Sequence, residues 1–335
     1  MAIIEKGAKV AVIGDGGWGT TLAILLHNKG YRVSLWGPFA GYIRLLDKKR
    51  RNPKFLPGVK IPGGISFSAD IRPVIQKASL IVLAVPSHFL REVLTKMKGE
   101  DISDSLILSA AKGIENDTLM RPSEVIKDVL GSLRIAVLSG PTISYEVARD
   151  IPTTCVASSE NAQLAEEAQD AFMGERFRVY TSADIVGVEL GGALKNVIAI
   201  ACGISDGLGF GANTKSAILT RGLVEIGRLG VAMGAKPETF AGLSGLGDLV
   251  TTCVSSHGRN RGFGEQIGRG RKVKDILAGM EMVAEGVRTA KSAFMLAEKH
   301  KVEMPITAQI YAVLYENKDP KTAVNELMLR QKKAE

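Results

Sequence analysis

The sequence predicts an α/β fold, a doubly wound, mostly parallel sheet followed by an all-helical C-terminal domain. Three observations carry this. Short, almost wholly apolar runs alternate with helical periodicity through the first half of the 335-residue chain, the pattern of parallel strands covered on both faces. Those runs stop near Val186, and helices punctuated by glycine fill the remainder. At about 100–200 residues per domain the length implies two domains, placed at residues 1–185 and 186–335.

The first strand is Lys9–Ile13, ending at Gly14, with a helical pattern over residues 20–28 behind it. Residues 31–36 are the second strand, and later strands fall at 80–85, 105–109, 134–138 and 154–157. Helices at 89–98 and 123–130 separate them. The second half reads as helices at 186–204, 214–233, 260–268, 273–277, 288–300, 306–315 and 321–330. Gly234 is placed to end one of these, and Pro305 to stop one helix and start the next. No low-complexity linker divides the halves, which predicts a ligand cleft where the domains meet.

Composition narrows the class. With 45% hydrophobic, 23% charged and 5% aromatic residues, disorder, collagen and disulfide scaffolds are excluded. The excess of 43 Lys+Arg over 35 Asp+Glu favours an anionic ligand. It is too small, and too poor in aromatic–basic interleaving, for a nucleic-acid partner. Cys155, Cys202 and Cys253 are widely spaced without metal-ligand spacing, so no metal site and reduced thiols in a cytoplasmic protein are expected. The first nine residues lack a signal peptide pattern. The most apolar window, residues 186–204, carries Glu189, Lys195 and Asn196. Charges at bilayer depth cost about 2.5–3.5 kcal/mol each, so a buried core helix is expected and no membrane span.

Gly14-Asp-Gly16-Gly17-Trp18-Gly19 fits G-x-G-x-x-G between the first strand and first helix. Gly14 permits the tight turn, Gly16 lets the backbone approach a pyrophosphate, and Gly19 lets the helix pack on the strand. The pyrophosphate is expected on the unpaired N–H groups of the helix start. The second strand ends at Trp36-Gly37-Pro38, without the acid that reads a ribose 2′-hydroxyl. Downstream, Arg44 and the run Lys48-Lys49-Arg50-Arg51 offer cations for a 2′-phosphate. The sequence therefore leaves NAD and NADP both open.

Lys195 stands out because nearly every neighbour in residues 189–202 is small or apolar. An ammonium there must find a partner or lose its proton, and desolvation lowers a lysine pKa toward the range useful for proton transfer. Gly191 and Gly192, one turn back, open the helix to a ligand. Lys112, in Ala110-Ala-Lys112-Gly-Ile-Glu115, begins where a strand ends, the edge at which such sheets bind ligands. Ser139-Gly140-Pro141-Thr142 ends the next strand likewise, and residues 245–252 offer Asp248, Thr251 and Thr252. Gly258-Arg259-Asn260 precedes a helix and is a candidate phosphate site.

Eight blocks together resemble the NAD(P)-dependent glycerol-3-phosphate dehydrogenase family over essentially the whole chain. They are GDGGWGTT from Gly14, NPKFLPGVKIP from Asn52, KGIE from Lys112 and SGPTISYEVA from Ser139. The others are GGALKN from Gly191, GLGDLVTTC from Gly245, GRN from Gly258 and VAEGVRTAK from Val283. The resemblance implies a Rossmann-type cofactor domain and reversible oxidation of sn-glycerol 3-phosphate to dihydroxyacetone phosphate, supplying glycerol phosphate for phospholipids. It implies Lys195 as the proton-transfer residue, Lys112 as a second lysine at substrate and cofactor, and Asp248 and Thr252 around the C2 oxygen. Gly140, Thr142, Asn196, Gly258, Arg259 and Asn260 become substrate contacts, with Arg259 the phosphate anchor. Gly14, Gly16, Gly17, Trp18, Gly19, Arg51, Pro86, Ser144, Arg259, Val283 and Glu285 become cofactor contacts to NAD or NADP. A homodimer follows from the same resemblance.

Three positions depart from the family pattern. Gly37-Pro38 replaces a basic residue common in bacterial members, which weakens any expectation of strong NADP preference. Gly258 stands where Ser is frequent, losing one hydroxyl, and Ser144 stands where Ala is usual. Two other readings compete: a β-hydroxyacid or ketopantoate reductase type of dehydrogenase, and a non-catalytic dinucleotide sensor. The first predicts a carboxylate substrate, and the second is opposed by the presence of Lys112, Lys195 and Asp248.

Overall fold

A computed structural model of the chain describes residues 4–131, 134–255, 258–280 and 284–332. It has two compact units, Met1–Lys112 with Met120–Val188, and Gly113–Leu119 with Glu189–Glu335.

The first unit holds the strands β1 (Lys9–Ile13), β2 (Arg32–Trp36), β3 (Arg51–Asn52), β4 (Leu56–Lys60) and β5 (Ser66–Ser68). They continue as β6 (Leu80–Leu83), β7 (Leu106–Ser109), β8 (Arg134–Ser139), β9 (Thr153–Ser158) and β10 (Phe177–Ser182). Its helices are α1 (Gly17–Asn28), α2 (Ala40–Lys49), α3 (Arg72–Ile75), α4 (Ser87–Met97), α5 (Pro122–Leu130), α6 (Ser144–Val147) and α7 (Ala162–Phe172). Eight strands form one sheet in the order β10-β9-β8-β7-β6-β1-β2-β5, and β3 and β4 pair as a separate antiparallel ribbon. Pairing in the large sheet is parallel except between β8 and β9. The chain adopts the α/β class its sequence predicts.

Both faces of this sheet are covered, which is why its central strands have no polar alternation. Val10, Val12, Leu80, Val82, Leu106 and Leu108 pack on one face against Leu22 and Leu26 of α1 and Phe172 of α7. Ala11, Ile13, Ile81, Leu83 and Ile107 turn to the other face, against Leu90 and Leu94 of α4 and Val125 and Ile126 of α5. At the edge β10 alternates, burying Phe177 and Val179 while exposing Arg178 and Tyr180.

The longest helix, α8 (Ile185–Gly207), starts in the first unit and continues as the core of the second. The second unit then runs α9 (Ala212–Ala232), α10 (Pro237–Phe240), a π turn (Leu243–Gly247), α11 (Asp248–Val254), α12 (Arg259–Gly268), α13 (Val273–Ala278), α14 (Glu285–His300), α15 (Pro305–Tyr315) and α16 (Pro320–Met328). Gly234 adopts φ +93° just past α9, and its N–H donates to the Val231 carbonyl, a left-handed helix stop. Pro305 is the first residue of α15, whose leading N–H groups need acceptors from elsewhere. Glu225 of α9 supplies them: Oε1 accepts from Ile306 N at 2.6 Å and Oε2 from Thr307 N at 3.1 Å. Burial pushes this carboxyl up, against those hydrogen bonds.

Although α8 is long and apolar enough to cross a membrane, 89% of its apolar window is buried. It is a core helix in which five of the 23 residues are glycine. A Cβ on Gly203 would fall 2.0 Å from the Arg261 carbonyl oxygen, and one on Gly207 2.2 Å from that of Glu265. In return, Gly264 and Gly268 of α12 would meet the carbonyl oxygens of Ile200 and Ile204 at 2.2 and 2.4 Å. Four glycines thus let two helices touch backbone to backbone. The cysteines are free and buried, and burial pushes the Cys155 thiol well above its usual range.

Gly203→Ala is expected to destabilise the chain. The gain in helix propensity is about 1 kcal/mol, whereas overpacking against rigid backbone costs about 1–3 kcal/mol or more. Urea unfolding followed by circular dichroism should show a lower midpoint; an unchanged midpoint would mean the helices part freely.

Candidate active site

In the first unit the glycine turn joins β1 to α1. Gly14 has φ +128°, and a Cβ there would lie 2.7 Å from the Ala84 carbonyl oxygen. Gly19 packs so closely on the turn that its Cβ would fall 2.0 Å from the Gly14 oxygen. Gly16 faces open space and caps α1 with no side-chain hydrogen bond and no acid in the first turn. A helix start left open in this way accepts an anion, so the residues present fit a dinucleotide pyrophosphate. The Gly17 Cα faces the Phe55 carbonyl, and a Cβ there would come within 2.5 Å of it.

Ser144 stands beside this turn: its carbonyl accepts from Thr21 Oγ1 at 3.0 Å. Trp18 is half-buried, Arg51 is exposed on β3, and Pro86 caps α4 beyond the end of β6. Lys112 follows β7, and its ammonium donates to the Gly140 carbonyl at 2.9 Å and to Thr142 Oγ1 at 3.3 Å. Three predicted substrate contacts are thereby brought together. Gly140 takes φ +134°, and a Cβ on it would meet Cys155 Cα at 2.9 Å.

In the second unit Lys195 is 6% exposed. Of the two outcomes open to a buried ammonium, the structure takes the first and provides partners. Its Nζ donates to Asp248 Oδ1 and to Thr252 Oγ1, the latter at 2.6 Å. Asp248 is itself only 1% exposed. It begins α11 directly after the π turn, in which Gly247 N bonds to Gly242 O five residues back. Gly191 admits that turn: a Cβ on it would sit 2.5 Å from the Ser244 carbonyl oxygen.

The neighbouring residue, Asn196, accepts at Oδ1 from Asn260 Nδ2 at 3.0 Å, and Asn260 Oδ1 accepts from Gly286 N at 3.0 Å. Gly258 caps α12, and Arg259 is the exposed first residue of that helix. Glu285 opens α14, where its carbonyl accepts from Thr289 Oγ1 at 3.0 Å. Val283 lies outside the described residues. Among the described residues no cluster of His, Cys, Asp and Glu is arranged to hold a metal.

With this geometry established, comparison with known proteins decides the family. A model of the NAD-dependent glycerol-3-phosphate dehydrogenase N-terminus matches residues 9–165, and one of its C-terminus matches residues 184–325. The chain belongs to the NAD-dependent glycerol-3-phosphate dehydrogenase family. It is 51% identical over 329 residues to a glycerol-3-phosphate dehydrogenase [NAD(P)+] of Syntrophotalea carbinolica, covering 97% of this chain and 99% of that protein. A protein of the same name from Chlorobium phaeobacteroides is 50% identical over 330 residues, covering 98% and 99%. The crystal structure of a glycerol-3-phosphate dehydrogenase from Coxiella burnetii matches with a TM-score of 0.94 at 38% identity, covering 97% of this chain and 100% of that one.

Within this family member, sequence reasoning gave Asn52 no role although it opens one of the quoted blocks. It is fully buried and uses its whole amide. Nδ2 donates to the Asp15 carbonyl and to Thr20 Oγ1, both at 2.8 Å, while Oδ1 accepts from Tyr42 OH at 2.6 Å and Phe55 N at 3.0 Å. Asn52 ties the glycine turn to the loop that covers Gly17. An Asn inside a short basic and proline-containing stretch was the available signal, but its partners are distant in sequence.

Asp206 holds α12 from the end of α8. Its carboxylate takes Lys215 Nζ at 2.6 Å and Arg261 Nε at 2.7 Å. Burial pushes the carboxyl up, but the Lys215 and Arg261 hydrogen bonds and charges outweigh it and hold the group below the usual range. A depressed carboxyl stabilises the fold above its unfolded value of about 3.9, and that benefit fades as pH falls through the lower folded value. Asp206→Asn should therefore cost about 1 kcal/mol at pH 7, with the gap to wild type closing only below about pH 4. Paired denaturation curves across pH measure it; a gap independent of pH would refute the clamp.

Proposed function

We propose that the chain is an NAD(P)-dependent glycerol-3-phosphate dehydrogenase that interconverts sn-glycerol 3-phosphate and dihydroxyacetone phosphate. The buried Lys195 ammonium, held by Asp248 and Thr252, carries this reading. Family membership over both halves of the chain supports it. It disfavours a β-hydroxyacid or ketopantoate reductase type of dehydrogenase and a non-catalytic sensor.

When bound, the nicotinamide supplies the hydride for C2 in reduction and takes it up in oxidation. The turn at Gly14, Gly16, Gly17, Trp18 and Gly19 would hold the pyrophosphate, with Arg51, Pro86, Lys112, Ser144, Arg259, Val283 and Glu285 as further cofactor contacts. Lys195 donates its proton to the C2 oxygen in the reductive direction. Asp248 fixes the ammonium in place and keeps it charged until that transfer. Thr252 accepts a second N–H of the same ammonium and fixes its direction. Lys112, oriented by Gly140 and Thr142, offsets negative charge building on the oxygen. Arg259 and Asn260 anchor the phosphate at the start of α12, with Asn196 positioning Asn260. Orientation of this kind contributes up to about 7–11 kcal/mol of barrier lowering.

The product then serves phospholipid synthesis. Residence in the cytoplasm and assembly as a homodimer belong to the same proposal, the first supported by three free buried thiols. Light scattering of the purified chain tests the second.

The deciding assay is NAD(P)H oxidation with dihydroxyacetone phosphate against a panel of 2-keto acids; turnover of the keto acids alone would overturn the proposal. Lys195→Ala should lower kcat by at least a hundredfold and leave dinucleotide affinity nearly unchanged. Full activity in that variant would remove Lys195 from the chemistry. Arg259→Ala should mainly raise KM for the phosphorylated substrate, since it deletes a charge-assisted contact. A change confined to cofactor affinity would reassign the phosphate anchor.

A further inference from the structure

Asp15, the second residue of the glycine turn, lays its carboxylate over the end of β2. A Cβ built on Gly37 would fall 2.5 Å from both Cγ and Oδ2 of Asp15 and 2.8 Å from its Cβ. The Asp15 side chain therefore fills the place that a side chain at position 37 would take. Its backbone is fixed there. The Asp15 carbonyl accepts from Asn52 Nδ2 at 2.8 Å, and the adjoining Gly14 N donates to the Trp36 carbonyl at 2.9 Å.

Asp15 is 9% exposed, and its Oδ2 has no hydrogen-bond partner among the described residues. Burial pushes this carboxyl up, opposed by a backbone hydrogen bond and the charge of Lys54. Oδ2 is fully buried against Gly37, so what this corner presents to a ligand is the charge of the carboxylate rather than that oxygen as an acceptor.

In doubly wound folds an acid at the end of the second strand accepts from the adenosine ribose 2′-hydroxyl. Here that strand ends in Trp36-Gly37-Pro38, and the corner is instead filled from the turn. We propose that Asp15 replaces the missing strand-end acid and, through its charge in this corner, makes the chain selective for NAD over NADP. This rests on the reading that the glycine turn holds a dinucleotide. A 2′-phosphate in the same corner would set a second anion against the Asp15 carboxylate, a like-charge contact in a poorly solvated place. Two of the cations that follow β2 are engaged within the chain. Arg50 bonds to Asp47 and to the Ile65 carbonyl, Lys54 lies over the Phe55 ring, and Arg51 is exposed.

The test is titration of the purified chain with NADH and with NADPH, read by quenching of Trp18 and Trp36 fluorescence without turnover. Wild type should bind NADH at least tenfold more tightly than NADPH. Asp15→Asn keeps the shape and removes the charge, and it should cut that ratio at least tenfold, mainly through gained NADPH affinity. Asp15→Ala, which also frees space above Gly37, should do the same, and the kcat/KM ratios should follow. A wild type that favours NADPH, or a ratio unmoved in both variants, would overturn the assignment and point to Arg44 and residues 48–51 as a 2′-phosphate site. Failure of wild type to bind either dinucleotide would overturn the cofactor reading together with it.

Discussion

The ion pair between Lys195 and Asp248 is the constraint on which the second unit depends. Taking two charges out of water costs several kcal/mol for each ion after relaxation, and geometry alone decides whether their attraction repays it. Within one helical turn of Lys195 the sequence offers nothing polar except its neighbour Asn196. The surrounding helices must therefore bring Asp248 and Thr252 to one atom and hold them there. Removing one member would leave a stranded charge, which is more harmful than losing the pair entirely. Buried pairs are weak contributors to stability, so this one is better understood as a functional requirement that the rest of the packing tolerates.

That packing is achieved by omission of side chains. Gly191 lets α8 touch the π turn that leads to Asp248. Gly203, Gly207, Gly264 and Gly268 let it touch the helix that begins with Arg259 and Asn260. Glycine in a helix interior lowers its stability by about 0.5–1 kcal/mol relative to alanine. Close backbone packing and the Asp206 clamp compensate, and the polar residues end up at fixed heights along α8. In the first unit the same device appears at Gly14 and Gly19, where strand, turn and helix meet without Cβ atoms between them.

How much of this was legible in the sequence follows from burial. The strands β1, β2, β6, β7, β8 and β9 were readable because a strand covered on both faces must be apolar throughout. The edge strand β10 was not, since it buries only alternate residues, and Ser66-Phe67-Ser68 of β5 carries almost no apolar signal. Seven helices of the second half were readable to within a few residues, because amphipathic periodicity and the stops at Gly234 and Pro305 are local; the short α10 and α11, the latter read as a glycine-rich loop, were not. Lys195 was readable because a charge inside an apolar run demands an explanation. Asp248, 53 residues away, was not readable as its partner without the family resemblance. Asn52 and the Asp15–Gly37 contact escaped for the same reason: both depend on which distant backbone comes close, and no periodicity records that.

The π turn at Leu243–Gly247 has a consequence for how such a site can change over time. It accommodates one residue more than an α-helical path would, and α11 inherits its rotational phase from that surplus. With 3.6 residues per turn, deleting a single residue there would swing everything downstream about 100° around the axis. Asp248 and Thr252 would both leave the Lys195 side of the helix, and no point substitution would bring them back. The segment is thus free to drift in residue identity yet locked in length, so descendants of this chain that keep the lysine should carry neither insertion nor deletion between Phe240 and Asp248.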